Sequence, residues 1–227
     1  MQSNWSVSVQ DQATSALVDL ASDALARDVL VLGHGASTNM EHRTMQNLAD
    51  TFNSIGVTVV RFNFLYTELK KGPPDRMPKL LECFKAVADR ARAELKPDKL
   101  FLGGHSMGGR AASHLAAEGY PCDGCILLSY PLHPAGQPHK LRSEHLASIP
   151  VPVLCLNGTR DELCLQEIML PILPTLPETW TMHWIEGADH SYHVQKRSGR
   201  TDEDVLTEIG TTSRAWVNSI GGRTEQP

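Results

Sequence analysis

A seven-residue run, Gly103-Gly104-His105-Ser106-Met107-Gly108-Gly109, restricts what this chain can fold into more than any other feature. The apolar stretch Lys99–Gly103 leads into it, and a small-residue stretch with helical spacing, Met107–Glu118, leaves it. A strand that turns into a helix at one residue holds that residue in a strained conformation, where side chains two positions away would collide. Gly104 and Gly108 occupy those two positions, so the sequence predicts a sharp strand–turn–helix with Ser106 at its apex. Its hydroxyl then projects past the carboxyl end of the strand. The N–H of Met107, free at a helix start, can face a developing negative charge.

The rest of the chain repeats the alternation. Asp28–Leu32, Val57–Phe64, Asp123–Ser129, Val151–Leu156 and Trp180–Ile185 read as strands. Glu41–Ile55, Lys79–Leu95 and Asp202–Ile220 read as helices, and Glu162–Leu176 as helical at its start before Pro171 and Pro174 interrupt it. Most strands are continuously apolar, which implies a mainly parallel sheet covered by helices on both faces. Residues 1–27 suggest an antiparallel edge hairpin, Trp5–Val9 with Ser15–Leu20; 131–148 form a short cap-like insertion; 221–227 read as a frayed tail. One domain over residues 1–227 is expected.

Composition excludes several functions. The 227 residues carry a net charge of −5, which argues against a nucleic-acid partner. The N-terminal stretch lacks the basic-then-apolar pattern of a secretory signal, and no apolar run reaches membrane-spanning length. Five cysteines in such a chain suggest reduced thiols and a cytoplasmic location. Cys122 and Cys125 form a CxxC that leads into an apolar run instead of a metal or redox pattern, and the ten histidines show no HxxxH or HExxH spacing. No metal and no cofactor are expected.

On an α/β-hydrolase sheet, a nucleophilic serine is followed in the chain by an acid and then a histidine. Val151–Leu156 is the late strand, and Asp161 in the turn Asn157-Gly158-Thr159-Arg160-Asp161-Glu162 is the candidate acid, with Glu162 a solvated neighbour. After the last strand, His190 is the candidate base, His193 its rival, Asp189 a loop carboxylate, and His183 a residue of the strand itself. The loop Gly33-His34-Gly35-Ala36-Ser37 follows the first main strand. The N–H of Ala36 is nominated with that of Met107 for an oxyanion hole, with Ser37 as the alternative and His34 as a residue orienting the loop.

Together these segments resemble the α/β-hydrolase superfamily, close to its small dienelactone-hydrolase-like branch, over about Asp28 to Ile220. The segments GHGAS, RFNF, PPDR, GGHSMGGR, YPLHPAGQPHKLRSEHL, NGTRDE and WIEGADHS are similar to a bacterial family. That family is related to a testis-expressed hydrolase-like protein and to the hydrolase-like domain of a nonspecific-lethal complex subunit. The resemblance implies an α/β-hydrolase fold and carries over Ser106, Asp161 and His190 as catalytic residues. About six to eight strands are expected, and the 18 residues of 131–148 are too few for a large cap. Dienelactone hydrolases have cysteine where Ser106 stands, so dienelactone is not implied as the substrate.

Two polar segments should overhang the same strand ends: 65–76, with Lys70, Lys71, Asp75 and Arg76, and 131–148, with His133, His139, Lys140, Arg142 and His145. Arg110 stands one turn below Ser106. Candidate substrate contacts are His34, Ser37, Asp75, Arg76, His105, Arg110 and His133. They would either bind a substrate anion or form structural ion pairs, such as Asp75 with Arg76 or Arg110. The expected activity is hydrolysis of a carboxylic ester, lactone or thioester, anionic or neutral, by a monomer or homodimer. The competing readings are a catalytically silent interaction module and an acyltransferase or peptidase with the same residues.

Overall fold

The computed structural model describes residues 2–21 and 27–221. The expected frayed tail therefore lies outside the described residues except for Gly221. Eight strands form a single sheet: β1 (Gln2–Val9), β2 (Gln12–Asp19), β3 (Val29–Gly33), β4 (Thr58–Phe62), β5 (Leu100–His105), β6 (Gly124–Leu128), β7 (Val153–Gly158) and β8 (Trp180–Ile185). Their spatial order is β1-β2-β4-β3-β5-β6-β7-β8. β1 and β2 form an antiparallel edge hairpin, β2 runs antiparallel to β4, and all other neighbours are parallel. β3 to β7 are buried along their whole length, which explains their mainly apolar sequences.

Among the described residues five α-helices link strands, α1 (Arg43–Ser54), the single turn α2 (Leu65–Glu68), α3 (Met77–Leu95), α4 (Met107–Ala117) and the single turn α5 (Gln166–Met169), and α6 (Asp202–Ser219) follows β8. On one face of the sheet α3 and α4 bury Leu80, Phe84, Val87, Ala112 and Leu115. On the other, α1 and α6 bury Met45, Leu48, Phe52, Val205, Ile209 and Trp216. A capping box at Thr201 and Asp204 starts α6.

The order of strands places the site. From β3 the chain crosses outward to β4, then returns past β3 to β5 and continues the other way. The carboxyl ends of β3 and β5 therefore adjoin at the point where the direction of winding reverses, the crevice where open α/β sheets bind ligands. The loop containing Ala36 leaves β3 there, and Ser106 leaves β5.

The stretch after β7 differs from the sequence expectation. The start of Glu162–Leu176 is not helical; α5 begins only at Gln166. The Asp161 carboxylate accepts the N–H of Leu163, and the Asp161 carbonyl accepts that of Cys164. This local turn competes with a helix. The polar segment 65–76 also opens with a helical turn, α2.

Candidate active site

Ser106 has φ 53° and ψ −116°, a conformation costly for a residue with a Cβ. It persists because its surroundings leave no alternative. A Cβ on Gly104 would lie 2.3 Å from the carbonyl carbon of Gly108, and one on Gly108 would lie 2.1 Å from the carbonyl oxygen of Gly33. The elbow, α4 and the end of β3 thus touch backbone to backbone. Ser106 donates no cap to α4, so its hydroxyl is available to other partners.

That partner is His190. Its Nε2 lies 2.8 Å from Ser106 Oγ, and its Nδ1 lies 2.9 Å from each carboxylate oxygen of Asp161. Asp161 is 1% exposed, and its charge is held by two further donors. The Leu163 N–H donates to Oδ1 at 2.8 Å, and the Asn157 side-chain amide donates to Oδ2 at 3.1 Å. Asn157 in turn accepts the N–H of Tyr130 at 3.0 Å, which fixes its amide. The three residues come from the loops after β5, β7 and β8, and the structure brings them into one hydrogen-bonded line.

The other nominated acids and bases are elsewhere engaged. Glu162 is exposed. Asp189 accepts the N–H groups of Ser191 and His193, which shapes the histidine loop. His193 is exposed and pairs with Asp202 at 3.0 Å. His183 pairs with Glu208 at 2.7 Å.

Ala36 and Met107 both border a cleft of about 480 Å³ that opens over Ser106. Among the described residues, neither of their N–H groups donates to a protein acceptor. The Ala36 carbonyl is held by the Tyr66 hydroxyl at 2.8 Å, a contact between the loops after β3 and β4 that the sequence did not signal.

Asp75, Arg76, Arg110 and His133 line this cleft, together with Pro74, Met77, Leu80, Pro131 and Arg142. Three of the candidate substrate contacts do not. His34 is wholly buried, donates through Nδ1 to the Gly35 carbonyl at 2.8 Å and accepts the Phe64 N–H on Nε2 at 3.1 Å. Both ring nitrogens are used, and burial pushes its pKa down to about 4, so it is a neutral strut of the loop. His105 faces away from the cleft walls and donates from Nε2 to the His190 carbonyl at 2.9 Å. Burial, and then the nearby His190 ring, push its pKa down to about 4. Ser37 is exposed and lies outside the cleft walls. His139 and Lys140 are exposed and also lie outside the walls. The ion pair expected for Asp75 forms with Lys79 at 3.4 Å instead of with Arg76 or Arg110.

Tyr192 is a second support that the sequence did not signal. Its hydroxyl donates to the Leu156 carbonyl at 2.8 Å and accepts the Ser129 N–H at 3.0 Å. It pins the histidine loop to the ends of β6 and β7. All five cysteines are buried, and no cluster of metal-ligating side chains occurs among the described residues. No helix among them is long and apolar enough to cross a membrane.

A mostly parallel eight-stranded sheet with helices on both faces and no large cap is the α/β-hydrolase fold. The chain belongs to the alpha/beta hydrolase domain family, whose model matches residues 26–218. Solved structures share the fold at low identity. An alpha-beta serine hydrolase homologue from Coxiella burnetii is 17% identical with a TM-score of 0.76, over 96% of this chain and 97% of that one. An α/β serine hydrolase without a lid from Xanthomonas campestris is 22% identical with a TM-score of 0.74, over 95% and 94%. A dienelactone hydrolase from Anabaena variabilis is 17% identical with a TM-score of 0.75, over 97% and 98%.

Proposed function

We propose that the protein is a serine hydrolase that cleaves a carboxylic ester, lactone or thioester through an acyl-enzyme. The observation that carries this reading is the unbroken line from Ser106 Oγ through His190 to Asp161, with steps of 2.8 and 2.9 Å. His190 Nε2 takes the hydroxyl proton as Ser106 Oγ attacks the acyl carbon. Asp161 holds the tautomer with Nδ1 protonated and stabilises the imidazolium. The N–H groups of Ala36 and Met107 receive the oxyanion. As the tetrahedral centre collapses, the bond to the leaving alkoxide or thiolate breaks and His190 returns the proton to it. Water then attacks the acyl-enzyme, gives a proton to His190, and releases the acid as Ser106 recovers its hydrogen.

Membership of the family and neighbours titled as serine hydrolases support the hydrolase part of this reading. The motif resemblance to the testis-expressed and nonspecific-lethal relatives adds that the chain sits in a small branch without a large cap. The test is labelling by a fluorophosphonate probe, followed by a panel of p-nitrophenyl esters, lactones and acyl thioesters on wild type and Ser106→Ala. Labelling and turnover that vanish in a folded Ser106→Ala protein support the reading. A folded wild type that neither labels nor turns over would assign the fold to a non-catalytic interaction module.

A further inference from the structure

The walls of the cleft over Ser106 hold three guanidinium groups, of Arg76, Arg110 and Arg142, against one carboxylate, of Asp75. That carboxylate is paired with Lys79, and no ion pair joins it to any of the three. Arg110 is partly buried, and its Nε is inaccessible to solvent yet has no hydrogen-bond partner. His133 is 1% exposed and its Nε2 is likewise unpartnered. Its Nδ1 donates to the Pro134 carbonyl at 3.1 Å. Asp75 Oδ2 is also buried and unpartnered. With Nδ1 donating, His133 Nε2 presents a lone pair, so it and Asp75 Oδ2 are acceptors and Arg110 Nε is the donor without a partner. Buried polar atoms are nearly always paired, so the Arg110 Nε–H marks a place where a ligand supplies an acceptor.

The charges around Arg110 point the same way. Arg142 lines the same cleft, and burial, then repulsion from Arg110, lower its pKa. His114 and His145 stack at 3.6 Å. His145 is held down to about 4 by burial, by His114 and by Arg110. Among the described residues, no carboxylate forms an ion pair with Arg110 or Arg142. Two like charges sharing a partly desolvated cleft are unfavourable unless an anion joins them.

The cleft also has a side. Its walls include Ser106, Ala36 and Met107 but not His190. In the proposed reaction the leaving group must lie against His190, which delivers its proton. The cleft on the far side of Ser106 therefore receives the acyl part. Arg110 stands one helical turn from Ser106, its N–H bonded to the Ser106 carbonyl at 3.0 Å. Helical side chains lean toward the amino end, here toward the serine. A separation of one turn corresponds to a carboxylate about two to four carbons from the scissile carbonyl.

We propose that the substrate is the half-ester or half-thioester of a short dicarboxylic acid, its free carboxylate held by Arg110 and Arg142. The proposal rests on the serine-hydrolase reading and adds to it the acyl class. Arg142 joins the contacts expected from the sequence.

The experiment compares monoethyl succinate, glutarate and adipate with ethyl 4-oxopentanoate, the uncharged isostere of the first, on wild type, Arg110→Gln and Arg142→Gln. The expected wild-type preference in kcat/KM for the anionic ester is about ten- to a hundredfold, the worth of a hydrogen bond to a charged group. That ratio should fall toward unity in each variant, with fluorophosphonate labelling of Ser106 reporting an intact site. If either variant fails to fold, inhibition of wild type decides: succinate should compete with ester turnover at least tenfold more tightly than its uncharged isostere hexane-2,5-dione, and more weakly as salt rises. A wild-type ratio near unity, a ratio indifferent to both substitutions, or equal inhibition by the two compounds overturns the anion site while leaving the hydrolase intact. Absence of Ser106 labelling and of turnover on every ester overturns the underlying reading instead.

Discussion

His190 Nδ1 sits 2.9 Å from both oxygens of Asp161, and each oxygen is also held from its other side, by the Leu163 N–H or by the Asn157 amide. The carboxylate is thus fixed before the histidine reaches it. Asp161→Asn can no longer enforce the tautomer that leaves Nε2 free to take a proton. Its kcat for a p-nitrophenyl ester is expected to fall by about 10⁴, the cost seen for the corresponding change in the serine-protease template. Asn157→Ala keeps the charge but frees one oxygen and orphans the Tyr130 N–H. It should cost roughly ten- to a hundredfold in kcat, and about 1–3 kcal/mol in stability measured by urea unfolding.

The hydroxyl of Tyr66 donates to the Ala36 carbonyl and so sets the angle at which the Ala36 N–H meets the cleft. Losing an oxyanion donor outright costs about 10²–10³ in rate. Tyr66→Phe only loosens one, so kcat is expected to drop by about tenfold with KM little changed. The ring stays buried, and unfolding should shift by about 1 kcal/mol, the net worth of one hydrogen bond. A loss that appears in KM instead of kcat would place Tyr66 in ground-state binding.

The parts of this site that were legible before the structure are local in the chain. The elbow is one heptad, and its glycines state the steric problem they solve. Asp161 and His190 followed from chain order once β7 and β8 had been located. His34 was legible as a residue orienting its loop, but its partner was not, and the backbone role of His105 was not legible at all. An imidazole beside the site reads alike whether it faces substrate or backbone, and here the partners are the Phe64 N–H and the His190 carbonyl, 30 and 85 residues away. Tyr66, Asn157 and Tyr192 were missed for the same reason, since each acts across loops that only the sheet brings together. After β7 the apolar spacing suggested a helix, but the chain closes a single turn on Asp161 and becomes helical only at Gln166.

Gly108 is where α4 crosses the end of β3. An added Cβ would meet the Gly33 carbonyl oxygen at 2.1 Å, and neither backbone can move without displacing the elbow or the loop of Ala36. Gly108→Ala is expected to destabilise the fold by at least about 3 kcal/mol, read as a shift in the urea midpoint. Gly72 provides the control. It is exposed, nothing lies within 4 Å of a Cβ built on it, and Gly72→Ala should stay within about 0.5 kcal/mol of wild type.

Burial lowers the pKa of His34 from 6.5 to about 4. In the unfolded chain the ring takes up a proton near pH 6.5, whereas in the fold it resists until about pH 4. Between those values the unfolded state binds more protons, so stability rises with pH. The contribution is fully present above about pH 6.5 and is lost as pH falls to about 4, an order of about 3 kcal/mol for this residue. His105, lowered to about 4 mainly by burial, adds a loss of the same sign over the same window. Thermal unfolding should therefore show a falling Tm from pH 6.5 to 4. His34→Gln removes one titrating group, and with it the Nδ1–H that braces Gly35. Its Tm should be lower than wild type at pH 7, and the gap should narrow toward pH 4. A gap that stays constant across that range would mean that His34 is protonated as easily in the fold as out of it.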